Sequence, residues 1–271
     1  LGDVYKRQLL FHKKFFERKV KHMAVILGTI LIILMIVIGE ERGVAGVFVL
    51  AGNMILLWMC IKFIANGSSV FLVLFIGSMI FTGLTLFAQN GCNRKTVSAF
   101  LSVIIVIAVL IIFCGYSIYR TRLGGYNEFD MYGDEASFLN NKIHVSSFQI
   151  MTVVVLLGLL GAIIDAALSV SSAVFQIYAS NPSLTEKELR KSGNNIGRDI
   201  LGTTVNTLFF AGIGESLLLF MMCQYYRYDM SALLNSKAFI QQLFVMIIAN
   251  LGCICILPVS ARVSAWIYKA R

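Results

Sequence analysis

Asp165, Ser169 and Ser172 recur at i, i+4 and i+7 within a largely apolar run from Phe148 to Ala179 that carries no other charge. On a helix that spacing puts all three on one face. Asp199, Thr203 and Asn206 repeat it in the next apolar segment, with Arg198 beside them. Carboxylate, hydroxyl and amide oxygens on two facing stripes are acceptors, which suits a cation or a small polar solute. Gly158, Gly161, Gly197 and Gly202 would let the two helices approach closely. An ionisable group inside a membrane span is costly, which makes it a functional candidate by default. A purely structural reading stays open: serines and small residues on such faces also pack helices without any ligand, and Asp165 or Asp199 could pair with Arg198.

Other chemistry is sparse. Cys60, Cys92, Cys114, Cys223, Cys253 and Cys255 form no C-x-x-C pair and lie mostly in or beside apolar runs, where cysteine acts as a small hydrophobe. Of three histidines, two fall in residues 1–22, leaving His144 and no His-rich metal centre. There is no G-x-S-x-G, no H-E-x-x-H and no phosphate-cradling glycine loop between strand and helix. The reading is therefore not an enzyme, with no metal and no cofactor. Glu215 lies about 24 Å along the helix from Asp199 and on a different face.

The elements that must hold these residues follow from composition. The 271 residues are 58% hydrophobic and 14% charged, with a mean hydropathy of +0.81. A soluble domain carries roughly a quarter charged residues, so lipid is the expected solvent and an all-α, polytopic transmembrane helical bundle the expected fold. Uncharged runs of about 20 residues cross the hydrocarbon core. Seven spans are expected, at about 23–39, 43–64, 68–89, 97–118, 148–167, 200–222 and 240–261. The run through 148–179 would exceed about 45 Å as one straight helix, so it must break, tilt or continue past the bilayer. In the loop 181–199, Asn181-Pro182 stops one helix and Thr185 with Glu188 forms a capping-box pattern. A short polar helix over 186–192, ended by Ser192-Gly193, is expected there.

Charge bias sets the orientation. With Met23 outside, ten basic residues from Arg42 to Arg271 fall inside and six fall outside, giving N-out and C-in. The net charge of +9 does not indicate nucleic acid: seven of the 23 Lys and Arg lie in residues 1–22, and the rest sit at span ends. Residues 1–8, LGDVYKRQ, match one reading frame of a transposon-derived sequencing adapter and are excluded from fold reasoning as an artefact. Residues 9–22 read either as a juxtamembrane segment or as translated upstream sequence, and 23–271 as a single transmembrane domain.

The stretch from Gly161 to Leu217 resembles the YibE/F family of bacterial multi-pass membrane proteins. The pattern is G-A-x-x-D-x-A-x-S-x-S-S, then N-P-x-L, then S-G-x-N-I-G-R-D-x-x-G-T, then N-T-L. Gly161, Ala162, Asp165, Ala167, Ser169, Ser171 and Ser172 carry the first part. Asn181, Pro182, Leu184, Ser192, Gly193, Asn195, Ile196, Gly197, Arg198, Asp199, Gly202 and Thr203 carry the second and third, and Asn206, Thr207 and Leu208 the last. Weaker similarity extends over roughly 23–265. Gly214-Glu215-Ser216 departs from the G-S-S of relatives, which argues against an essential role for Glu215. The resemblance implies a bacterial inner-membrane location, and an extracytoplasmic domain ahead of the core in longer members. It implies no activity. Two functions remain: a permease or transporter of an ion or small solute, with Asp165, Ser169, Ser172, Arg198, Asp199, Thr203 and Asn206 as its pathway, and a non-transporting subunit that binds a partner membrane protein.

Overall fold

A computed structural model describes residues 2–125, 127–129 and 146–269, with side chains from His22 onward except at Ser147. His144 and most of the loop 119–147 lie outside the described residues. The helices are α1 (Gly2–Ala65), α2 (Val70–Asn90), α3 (Arg94–Thr121), α4 (Ser147–Ser180), α5 (Glu186–Tyr225), the short α6 (Met230–Asn235) and α7 (Lys237–Lys269). No strand occurs among the described residues. Six of these helices are long and apolar enough to cross a membrane. The chain divides into two compact units, residues 1–52 and 53–271.

In the first unit, α1 leaves helical geometry at Glu40, whose φ of 48° and ψ of −129° are unusual for a residue with a Cβ. The break falls between the first two expected spans. A Cβ on Gly43 would collide with the Met35 carbonyl, so the glycine is what permits this close approach. Most apolar side chains from Met23 to Ile38 are exposed, as suits a helix solvated by lipid.

In the second unit, α3, α4 and α7 form the centre and α5 packs chiefly on α7. Val103, Ile107, Leu110, Leu159, Ile163, Val170, Ile256 and Ala261 fill the core between them. One end of the core is tied by hydroxyls. Ser171 Oγ donates to the Lys95 carbonyl at 2.7 Å, and Tyr268 OH donates to the Ser171 carbonyl at 3.0 Å. Ser98 and Ser171 hydrogen-bond to each other, Ser264 Oγ donates to Ser98 Oγ at 3.2 Å, and Ser260 Oγ to the Ala167 carbonyl at 3.0 Å. These groups are buried, so each needs a hydrogen-bond partner inside the protein, and here most partners lie on a neighbouring helix. At the opposite end, Glu128 caps α7. Its carboxylate accepts from the backbone N–H of Lys237 at 2.8 Å and of Ala238 at 3.1 Å. Ser236 accepts from the next two N–H groups, through Oγ from Phe239 and through its carbonyl from Ile240. All four N–H groups that open a helix are thus satisfied.

The structure departs from the sequence expectation in α5, while in α4 it excludes one of the three expected courses. α4 runs unbroken for 34 residues, about 51 Å, so the long apolar run does not break and must tilt or continue past about 30 Å of hydrocarbon. The Thr185–Glu188 capping box forms, with the Thr185 N–H donating to Glu188 at 2.8 Å. The helix it starts does not end at Ser192-Gly193 but continues to Tyr225. Gly193 acts as a packing residue instead: a Cβ there would lie 2.7 Å from Val174 Cγ2 and 2.9 Å from Ala261 Cβ. Burial against α4 and α7 outweighs the weak helix propensity of glycine.

Candidate functional site

Asp165 stands near the middle of α4, on the face that also carries Gly158, Gly161 and Ser169. These four residues are exposed, while Ile163, Ile164, Ala166 and Ala167 on the other faces are buried. The four therefore form an outward stripe rather than a packed seam. Where the stripe passes α5 there is a groove of about 270 Å³. Ala162, Asp165, Ala166 and Ser169 line it from α4, and Ile200, Thr203, Thr204, Thr207 and Leu208 from α5.

The groove is rich in acceptors. Thr203 Oγ1 donates to the Ile200 carbonyl at 2.9 Å and Thr207 Oγ1 to the Thr203 carbonyl at 2.8 Å. Both hydroxyl protons are thereby committed to the helix backbone, leaving the oxygens as acceptors. The Asp165 carboxylate forms no hydrogen bond or ion pair with the described residues, and no Lys or Arg lines the groove. An unneutralised carboxylate with hydroxyl oxygens beside it can hold a cation or a proton, or accept hydrogen bonds from a small polar solute. Asp165 is the one ionisable residue that lines the groove, and among the described residues no group of three or more His, Cys, Asp or Glu could hold a metal ion.

Asp165, Ser169 and Thr203 are thus brought together, and four other expected pathway residues are not. Ser172 is half-buried further along α4 and does not line the groove. Asp199 and Asn206 are exposed on a different face of α5. Arg198 lines a separate groove with Lys187, Arg190, Lys191, Asn194 and Asn195, and pairs with neither Asp165 nor Asp199. Of the four glycines expected at helix contacts, Gly197 does meet Leu257 and Val170, where a Cβ would sit at 3.3 and 3.9 Å. A Cβ at Gly158, Gly161 or Gly202 would meet nothing within 4 Å. Close approach occurs at Gly193 and at Gly212, which faces Met246.

Thr204 and Thr207 escaped the sequence reading. Thr203, Thr204 and Thr207 are spaced i, i+1 and i+4, a signal that could have marked this face. The stripe through Asp199, Thr203 and Asn206 fits helical spacing equally well, and spacing alone does not say which stripe meets α4. Glu215 is exposed in the apolar part of α5, away from the groove.

Six long apolar helices with a mostly lipid-compatible exterior define a multi-pass helical membrane protein. The family model for YibE/F-like proteins matches residues 27–270, nearly the whole chain, so the chain belongs to the YibE/F family. No curated protein and no solved structure matches it.

Proposed function

We propose that the chain is a permease-type protein of the bacterial cytoplasmic membrane that moves a cation or small polar solute along the α4–α5 groove, with no enzymatic step. The observation that carries this reading is the unpaired Asp165 carboxylate at mid-helix beside the Thr203 and Thr207 oxygens. Lipid offers such a group no partner, so a permeant cation, a proton or water must satisfy it. The reading includes seven crossings, with N-out and C-in. The break at Glu40 supports counting 23–39 and 43–64 separately. The hydroxyl ties and the Lys269 Nζ bond to the Pro182 carbonyl at 2.8 Å gather the first residues of α3 and α5 with the last of α4 and α7. That end carries Arg94, Lys95, Lys187, Arg190, Lys191, Arg198 and Arg262, which supports placing it inside. The test is an uptake and efflux screen over protons, alkali cations and small polar solutes in cells lacking or overproducing the protein. A substrate whose flux follows protein level, and falls with Asp165→Asn, supports the reading; equal fluxes for every solute contradict it.

A second reading, a subunit that binds a partner membrane protein, is favoured by the polar groups left on outward faces. Gly158, Gly161 and Asp165 of α4 and Asp199, Gly202, Asn206 and Glu215 of α5 are exposed. Small and polar residues are how helices meet inside lipid. Cross-linking in native membranes from a cysteine placed at Gly202 tests it, since a specific adduct is expected only if another helix lies there.

A further inference from the structure

The first three turns of α5 present a face that neither the fold nor the proposed pathway uses. Lys187, Arg190, Lys191, Asn194, Asn195 and Arg198 line one groove of about 360 Å³. Their spacing of i, i+3, i+4, i+7, i+8 and i+11 makes a single helical stripe. All four cations are exposed, and none makes a hydrogen bond or ion pair with the described residues. The acids nearby are otherwise placed. Glu188 is held by the Thr185 cap, while Glu186 and Asp199 do not line the groove. Asn194, which lines the groove, has its Oδ1 buried without a partner.

Depth decides what such a surface meets. On the opposite side of these turns, Gly193 packs on Val174 and Ala261, and Gly197 on Leu257 and Val170. Those neighbours lie toward the C-terminal ends of the long apolar helices α4 and α7. The cationic stripe therefore stands level with the ends of apolar helices, where headgroups begin, and not on a stalk in bulk water. Beyond Arg198 the helix enters its own apolar stretch, starting at Ile200. Orientation bias explains why basic residues gather on this side. It does not require four of them, with two amides, to share one groove without an acid.

We propose that this groove is a binding site for the phosphodiester headgroup of an anionic phospholipid, with Arg190 and Arg198 giving forked hydrogen bonds and Lys187 and Lys191 adding charge. The recognised chemistry is phosphate, which free inorganic phosphate shares. The lipid is the source favoured because the groove lies against the bilayer, where its acyl chains can remain in hydrocarbon. The inference is independent of transport, since the groove contains neither Asp165 nor Thr203.

The test uses the full chain purified in a neutral detergent. Binding of dioctanoyl phosphatidylglycerol, dioctanoyl phosphatidylcholine and inorganic phosphate is compared by native mass spectrometry and by thermal shift. Phosphatidylglycerol is expected to bind and raise the melting temperature, with an affinity that falls as salt rises. Replacing all four cations with Gln is expected to weaken it by about tenfold or more. Arg120→Gln with Arg122→Gln, at the other end of the core, should leave it unchanged. Should the fourfold variant fail to fold, the pairs Lys187→Gln/Lys191→Gln and Arg190→Gln/Arg198→Gln give the same comparison in two steps. Equal binding by native and substituted chains overturns the proposal. So does equal binding of phosphatidylcholine, or inorganic phosphate binding as tightly as phosphatidylglycerol.

Discussion

Gly193→Ala isolates the close approach of α5 to the core. The added Cβ would lie 2.7 Å from Val174 Cγ2, 2.9 Å from Ala261 Cβ and 3.4 Å from Ala261 Cα. Val174 can change rotamer only within a buried site, and the alanine atoms move only with the α7 backbone. Overpacking of this kind costs about 1–3 kcal/mol, and the two contacts below 3 Å put this site at the upper end. Gly to Ala in a helix returns roughly 1 kcal/mol through propensity. The net loss is then about 1–2 kcal/mol, or roughly 2–8 °C in melting temperature for a chain of this size. Gly193→Leu cannot be accommodated and should prevent folding. Gly202→Ala is the matched control, because its Cβ would meet nothing within 4 Å; propensity alone should leave stability unchanged or slightly raised. The assay is thermal unfolding in one detergent followed by fluorescence-detected size exclusion. A Gly193→Ala variant as stable as the native chain, or a Gly202→Ala variant that loses as much, refutes the packing argument.

Two further outcomes follow from the ends of the core. Tyr268→Phe removes the hydroxyl that donates to the Ser171 carbonyl at 3.0 Å and keeps the ring stacked on Tyr178. A single hydrogen bond between membrane helices contributes about 0.6–1.7 kcal/mol, so thermal unfolding should show a small loss, and an unchanged midpoint would argue against the node. Glu128 gives a pH dependence. Partial burial disfavours its charge, but the N–H groups of Lys237 and Ala238, its own N–H and the Lys237 charge prevail, holding the carboxyl below its ordinary value. A carboxylate with a lowered folded-state pKa stabilises fully above the unfolded value, near 4.5, and the contribution fades as pH falls through the folded value. Limited proteolysis around 123–129 should accelerate as pH drops below about 4.5. Glu128→Gln should show the faster cleavage already at neutral pH, and identical pH profiles would refute the cap.

The helical, membrane-embedded architecture was legible because it depends on run length and charge exclusion, which a single sequence displays directly. The change of direction in α1 was legible in the same way: Gly39-Glu40-Glu41-Arg42-Gly43 interrupts the apolar pattern, and the break falls at Glu40. The continuity of α5 was not legible, because Ser192-Gly193 is a local stop signal that packing on Val174 and Ala261 overrides. The site was half legible. Asp165 stands out as an acid in an apolar run, and its own helix supplies Ser169 at the right spacing. Its partners on α5 depend on the rotation of that helix against α4, a tertiary quantity. A shift of about one position replaces Asp199 and Asn206 with Ile200 and Thr207 and brings Thr204 in beside Thr203. Glu128 and its cap were illegible for another reason, since the two partners lie more than a hundred residues apart.

The central claim is that the Asp165 carboxylate, with the threonine oxygens of α5, holds a permeant species. Its most direct measurement is flux into proteoliposomes containing the native chain, Asp165→Asn or Thr203→Val, each first shown to elute as a folded monodisperse species. For the cation or solute found in the cellular screen, the expected result is flux by the native chain, none above empty liposomes for Asp165→Asn, and a reduced rate for Thr203→Val. Folded Asp165→Asn protein that carries the same flux as the native chain would contradict the account.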